Sequence, residues 1–105
     1  MGERVVLCAI DDLSPGEARR FDVAGARIAL VRIGDEFFAI GDRCSHEDYP
    51  LSEGEVWTDT CEIECPRHGS TFDLRTGAPS SLPATQPVPV YDVVIEDGNV
   101  SVVLP

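Results

Sequence analysis

The side chains best suited to chemistry fall in two short runs, Cys44-Ser45-His46 and Cys65-Pro66-Arg67-His68. Each offers one thiolate and one imidazole, and the 18 residues from Glu47 to Glu64 lie between them. A zinc finger usually pairs cysteine with cysteine and histidine with histidine, on spacings that suit one tetrahedral ion. Two mixed pairs suit two metals instead. If the runs face each other, both thiolates can converge on one iron and both neutral imidazoles on a second, with two sulfides bridging. A single zinc held by the same four side chains is the competing reading, and it would make a structural, non-redox interaction domain. Cys8 and Cys61 have no histidine nearby in sequence and read as small buried hydrophobes.

The surrounding sequence resembles the Rieske family, through C-S-H-E-D-Y-P-L-S-E-G at residues 44 to 54 and C-P-R-H-G-S-T-F-D at residues 65 to 73. G-D-E-F-F-A-I-G-D-R precedes the first run and R-T-G-A-P-S-S-L-P-A follows the second, so the likeness spans roughly residues 32 to 84. Within the family, the ferredoxins of ring-hydroxylating dioxygenase systems look nearest. The resemblance implies one [2Fe-2S] cluster, with Cys44 and Cys65 on a buried iron and His46 and His68 on an outer iron near the surface. It also implies surroundings that include Ser70, Gly69 and Phe72, and a proline-containing cover loop, Pro79 to Pro83. The implied role is a one-electron carrier, not an enzyme. It would accept electrons from a flavoprotein ferredoxin reductase and deliver them to a terminal oxygenase of aromatic hydrocarbon catabolism. Two alternatives remain: the small subunit of an assimilatory nitrite reductase, which has a Rieske-like fold but in many cases lacks some of the ligands, and an auxiliary ferredoxin of iron-sulfur cluster assembly, which shares the motifs.

High-potential members of the family carry an extra cysteine in each loop, joined by a disulfide. Here the corresponding positions hold Glu47, Asp48 and Tyr49 in the first loop and Arg67 in the second. Those members also have a tyrosine two residues after the loop serine, where this chain has Phe72. Fewer donors to the sulfurs imply a potential toward the bottom of the Rieske range of about −150 to +300 mV.

The rest of the chain must position these runs. Its 105 residues suffice for one domain, with 43% apolar and 26% charged residues in ordinary globular balance. The charge of −11 and pI near 4.3 argue against nucleic acid or an anionic membrane as partner, because both need a cationic face. The apolar run Val5 to Ile10 lacks the cationic flank and cleavage site of a signal peptide, and no apolar stretch approaches the roughly 18 residues that span a bilayer. A cytoplasmic location is expected.

Helical periodicity is missing, while 8 prolines and 9 glycines punctuate the chain. Ile28 to Ile33 reads as a well-buried strand, turned by Gly34-Asp35 into Phe37 to Ile40. Val90 to Ile95 and Val100 to Leu104 flank a turn at Asp97-Gly98-Asn99. Val5 to Ile10 and Phe21 to Val23 add strands, with turns at Ser14-Pro15-Gly16 and Gly25. The expected fold is all-β, an antiparallel sandwich or barrel over residues 1 to 105, with a cluster-binding subdomain inserted at about residues 42 to 84. Pro79 to Pro89 reads as irregular coil. Trp57, Tyr49 and Phe72 read as packing for the loops. Residues 42 to 64 carry eight acids and one arginine, net −7, which is either a solvated face or a docking surface for a basic partner. The expected associations are transient and electrostatic, made by a monomer.

Overall fold

The runs of Val, Ile and Phe between Gly- and Asp-bearing turns form extended chain. The computed structural model describes residues 3–43, 49–66, 69–80 and 86–104. Its strands are β1 (Glu3–Ala9), β2 (Ala18–Val23), β3 (Ala26–Ile33), β4 (Glu36–Gly41), β5 (Val56–Trp57), β6 (Glu62–Glu64), β7 (Thr71–Asp73), β8 (Val90–Glu96) and β9 (Asn99–Leu104). Helix among the described residues is limited to 3-10 turns at Ile10–Asp12 and Leu51–Glu53. The all-β expectation therefore holds.

Three hairpins of the larger sheet take their form from residues that accept positive φ. Ala24-Gly25 (φ 49° and 81°) and Asp97-Gly98 (54° and 77°) have both central residues left-handed, as a type I′ turn requires. Gly34 (60°) followed by Asp35 matches type II′, and Ile33 pairs with Glu36 across it. Asn99 pairs with Glu96, so the last turn is two residues long and Asn99 opens β9 instead of closing the turn. β2 begins earlier than the expected Phe21 to Val23, because Ala18 to Arg20 continue its ladder along β3 to Val31.

One sheet runs β1-β9-β8-β4-β3-β2 and a small one runs β5-β6-β7, antiparallel throughout. The large sheet is two three-stranded ribbons joined where β4 meets β8, at Ala39↔Tyr91 and Ile40↔Val90 only. Just beyond, the Gly41 N–H donates to the Pro89 carbonyl at 2.9 Å.

β3 partitions two cores. Successive strand side chains point to opposite faces. Ile28 and Leu30 face one core with Leu13, Ala39, Val100, Val102 and Leu104, while Ala29 and Val31 face another with Ile40, Leu51, Ile63, Phe72 and Leu74. That double burial explains why the run reads as continuously apolar and not alternating. The small sheet lies against the second core through Val56, Ile63 and Phe72, so the insert is a lobe laid on the outer face of the β3–β4 hairpin. No helix among the described residues is long and apolar enough to cross a membrane.

Candidate metal centre

The β6–β7 hairpin carries the second cysteine-histidine run in its connection. The Cys65 N–H donates to the Ser70 carbonyl at 2.7 Å, and the Gly69 N–H returns to the Cys65 carbonyl at 3.0 Å. Gly69 has φ 74°, the left-handed conformation that lets so short a connection fold back. Cys65 and Ser70 are both wholly buried, whereas Pro66 and Gly69 are exposed. The connection thus holds a sulfur and a hydroxyl inside, with Pro66 and Gly69 at the surface. A thiolate donor sealed from water beside a buried hydroxyl suits the inner iron of a mixed-ligand cluster, whose potential depends on hydrogen bonding and solvent exclusion. Of the predicted ligands, the structure places Cys65. Cys44, His46, His68 and the cover-loop Pro83 lie outside the described residues.

The chain on either side of the first run is described, and it ties the residues that flank that run to the strand that leads into Cys65. Asp42 precedes it and has 1% exposure, and its carboxylate accepts the Ser52 N–H at 2.6 Å and the Ser52 hydroxyl at 2.8 Å. The 3-10 turn at Leu51–Glu53 then closes with the Gly54 N–H on the Leu51 carbonyl at 2.9 Å. A Cβ on Gly54 would stand 1.6 Å from the Glu64 carbonyl oxygen, so only glycine lets this segment run against the residue that precedes Cys65. The Glu64 N–H to the Glu55 carbonyl, 2.8 Å, fixes the register. Gly54 thereby sets the end of the first segment beside the start of the second.

A third segment is tied at both ends as well. Pro79, expected in irregular coil, bridges to Phe72, and the Ser80 N–H donates to the Thr71 carbonyl at 2.7 Å. The Ser80 hydroxyl reaches the Glu62 carboxylate and lies 2.6 Å from the Thr71 hydroxyl. Hydrogen bonding, chiefly from Ser80 and then from Thr60 and Thr71, holds the Glu62 carboxyl below the usual range despite some burial. On the far side the Val88 N–H donates to the Gly77 carbonyl at 2.8 Å, and a Cβ on Gly77 would meet the Val88 oxygen at 2.1 Å.

Phe72 packs as expected, at 0% exposure on the inward face of β7, and it brings no hydroxyl to the site. Tyr49 is half-buried against the same core. Trp57 is a correction: it is 43% exposed on the outer face of the small sheet, with its indole N–H donating to Glu64 Oε1 at 3.2 Å. β5 is two residues long and Val56 takes the inward place, so the strand alternation turns Trp57 outward. The acidic run is likewise mixed, because Asp42 is buried while Glu53, Glu55 and Asp59 are exposed. Cys61 is buried in the core below the small sheet, with φ 59°, its carbonyl taking the Leu74 N–H at 2.9 Å. Cys8 is half-buried on β1, where burial, and next the Asp12 charge, push its thiol up while Arg19 partly opposes them. Both behave as small core residues.

The sequence profile of the Rieske [2Fe-2S] domain matches residues 3–92. The 3-phenylpropionate/cinnamic acid dioxygenase ferredoxin subunit of Escherichia coli K12 is 43% identical over 102 residues, 97% of this chain and 94% of the relative. The ferredoxin of carbazole 1,9a-dioxygenase from Nocardioides aromaticivorans IC177 superimposes with a TM-score of 0.93, at 42% identity over 97% of each chain. A chain in a complex of reduced oxygenase and oxidized ferredoxin of carbazole 1,9a-dioxygenase matches with a TM-score of 0.88 and 42% identity, over 94% of this chain and 91% of that one. The buried Cys65 turn, the all-β fold and these likenesses agree: the chain belongs to the Rieske [2Fe-2S] family, as a ferredoxin that carries electrons on one [2Fe-2S] cluster.

Proposed function

We propose that this protein passes single electrons from a flavin-dependent ferredoxin reductase to a terminal ring-hydroxylating oxygenase, as a cytoplasmic monomer whose residues 1 to 105 act as one domain. The observation that carries the reading is the wholly buried Cys65 in its Ser70-closed turn, within a chain so like the dioxygenase ferredoxins. Cys44 and Cys65 hold the inner iron, and His46 and His68 the outer one. Ser70 and Gly69 shape the second ligand run, Phe72 packs beneath it, and Pro83 belongs to the cover loop of the insert at about residues 42 to 84. When bound, the cluster supplies reversible one-electron chemistry, at a potential raised by exchanging two thiolates for neutral imidazoles. The chain's own work is to exclude water from Cys65, to offer the Ser70 hydroxyl to the sulfurs, and to withhold a second hydroxyl at Phe72. A redox titration is expected to give a midpoint below about 0 mV, in the lower part of the Rieske range.

Docking is assigned to the acidic segment 42 to 64, whose exposed part includes Glu53, Glu55, Asp59 and the outward-facing Trp57. A carbazole dioxygenase ferredoxin is known in complex with its oxygenase, which supports an oxygenase as one partner here. An acidic face with one exposed aromatic suits a basic patch held briefly, through a small interface.

Metal and sulfide analysis on protein purified without added metal tests the centre. About two irons and two sulfides per chain, with a visible spectrum that bleaches on reduction, are expected. One zinc without sulfide would overturn the carrier. Stopped-flow transfer to the oxygenase should slow as salt rises. A rate indifferent to ionic strength would remove the electrostatic docking and leave the carrier standing.

A further inference from the structure

We infer that Asp42 is a positioning residue, whose buried carboxylate clamps together the two ends of the segment that bears Cys44 and His46. The inference rests on the assignment of those two residues as ligands.

An ionised carboxylate is costly to bury, and an apolar pair of similar volume would often hold two segments together as well or better. The carboxylate offers direction instead. Its two oxygens take two donors from one residue, the Ser52 N–H at 2.6 Å and the Ser52 hydroxyl at 2.8 Å, which fixes the orientation of Ser52 as well as its distance. Arg20 on β2 is a charged neighbour, whose Nε lies 3.9 Å from the carboxylate and 3.1 Å from Asp22, so its hold on Asp42 is shared and looser.

Both ends of the clamp are anchored in the body of the fold. The Asp42 N–H donates to the Arg27 carbonyl at the start of β3, at 2.9 Å, and Leu51, beside Ser52, is wholly buried in the core shared with Cys65. Asp42 is therefore fixed on the large sheet, and Leu51 and Ser52 are fixed at the small-lobe core. The Asp42–Ser52 bonds close the ring between them at its base. A tie between the two ends of a loop lowers the entropy that its closure costs. The clamp also delivers the chain into the 3-10 turn that Gly54 seats against Glu64.

The test uses the holoprotein and the variants Ser52→Ala, Asp42→Asn and their double, with Cys44→Ala as reference. Ser52→Ala changes no charge and keeps the backbone bond, so it reads the clamp and not local electrostatics. Two quantities are measured: the rate of iron release to a chelator, and the EPR spectrum of the reduced protein. Each single variant should release iron faster, on the order of tenfold to a hundredfold for Asp42→Asn and less for Ser52→Ala, and should broaden or shift the EPR features. The double should be no faster than Asp42→Asn alone, because both substitutions open one ring. A purely structural role would lower the melting temperature but leave the spectrum and the release rate at native temperature unchanged, and that result overturns the inference. So would strictly additive effects of the two substitutions. A Cys44→Ala protein that kept a native cluster spectrum would overturn the ligand assignment and the clamp together; loss of the cluster in Cys44→Ala with native behaviour in the other variants would overturn the clamp alone.

Discussion

The two faces of the β3–β4 hairpin meet cores built on different principles. On one side, strands of six to eight residues pair along most of their length and close over Leu13, Leu30, Val100 and Val102. On the other, strands of two and three residues cover Ile63, Phe72 and Leu74. A sheet of such short strands is not stable by itself. What steadies it is particular: backbone approaches that only glycine allows, a buried carboxylate, hydroxyl ties at Ser80, and the metal centre whose binding energy is also folding energy. The long-strand body is secured by many ordinary contacts and the redox lobe by a few indispensable ones.

That contrast is sharpest at two glycines. Gly54→Ala would drive a Cβ into the Glu64 carbonyl at 1.6 Å, whereas a Cβ on Gly98 meets nothing within 4 Å and suffers only from its φ of 77°. We expect Gly54→Ala to cost upwards of about 4 kcal/mol in the lobe, with loss of iron, and Gly98→Ala to cost about 1 to 2 kcal/mol with the iron retained. Iron per chain, measured with hydrogen exchange resolved by strand, checks both. Equal iron loss in the two variants would erase the distinction between the regions.

Truncation of one side chain in each core comes next. Leu30→Ala and Ile63→Ala should each cost about 2 to 5 kcal/mol. Leu30→Ala should lower the melting temperature while protein that remains folded keeps its iron. Ile63→Ala should speed iron loss before global unfolding. Thermal melts followed at once by far-UV signal and by visible absorption separate the two, and coincident transitions in both variants would show a single cooperative unit.

Surface changes on the lobe should touch partners and not the fold. Trp57→Ala is expected to shift stability by no more than about 0.5 kcal/mol, since the side chain is 43% exposed, while slowing electron transfer to the oxygenase at low salt. Unfolding curves and stopped-flow rates measure the two effects, and an unchanged rate would move the docking face elsewhere. The smallest effect belongs to Glu62. Its carboxyl is held low in the folded state, so its contribution is present at neutral pH and fades as pH falls below the ordinary Glu value of about 4.3, through the lower folded value. The stability gap between the wild type and Glu62→Gln should therefore be small at pH 7, because the group is only partly buried and solvent screens it, and should close in acid. Denaturant titrations across pH 3 to 7, taken as about the span of interest, read it.

How much of this was legible in the sequence follows from how local each cause is. The hairpins at Gly34-Asp35 and Asp97-Gly98 announce themselves because positive φ demands particular residues in adjacent places. The cysteine-histidine runs do so because ligand chemistry is also local. β3 was readable since a strand buried on both faces has a plain apolar signature. The insert is harder, because strands as short as Val56–Trp57 give alternation no room to show, and Trp57, expected to pack the loops, points out. Asp42 passed for one more surface acid, since nothing in its neighbours along the chain reveals the Ser52 donors. Gly54 stood only as the last letter of a motif, because its reason lies in Glu64, ten residues on.

The insert leaves the large sheet after Gly41 and returns at Pro89, and those two residues are joined by one hydrogen bond at 2.9 Å. Its two ends are therefore already as close as the arms of a hairpin, and the pairing of Ile40 with Val90 would continue unbroken if a tight turn replaced everything between. In engineering terms the redox lobe is a cassette in a socket. The host strands need not be re-spaced when its contents are exchanged, so loops tuned to another potential or another partner can be grafted at this one seam.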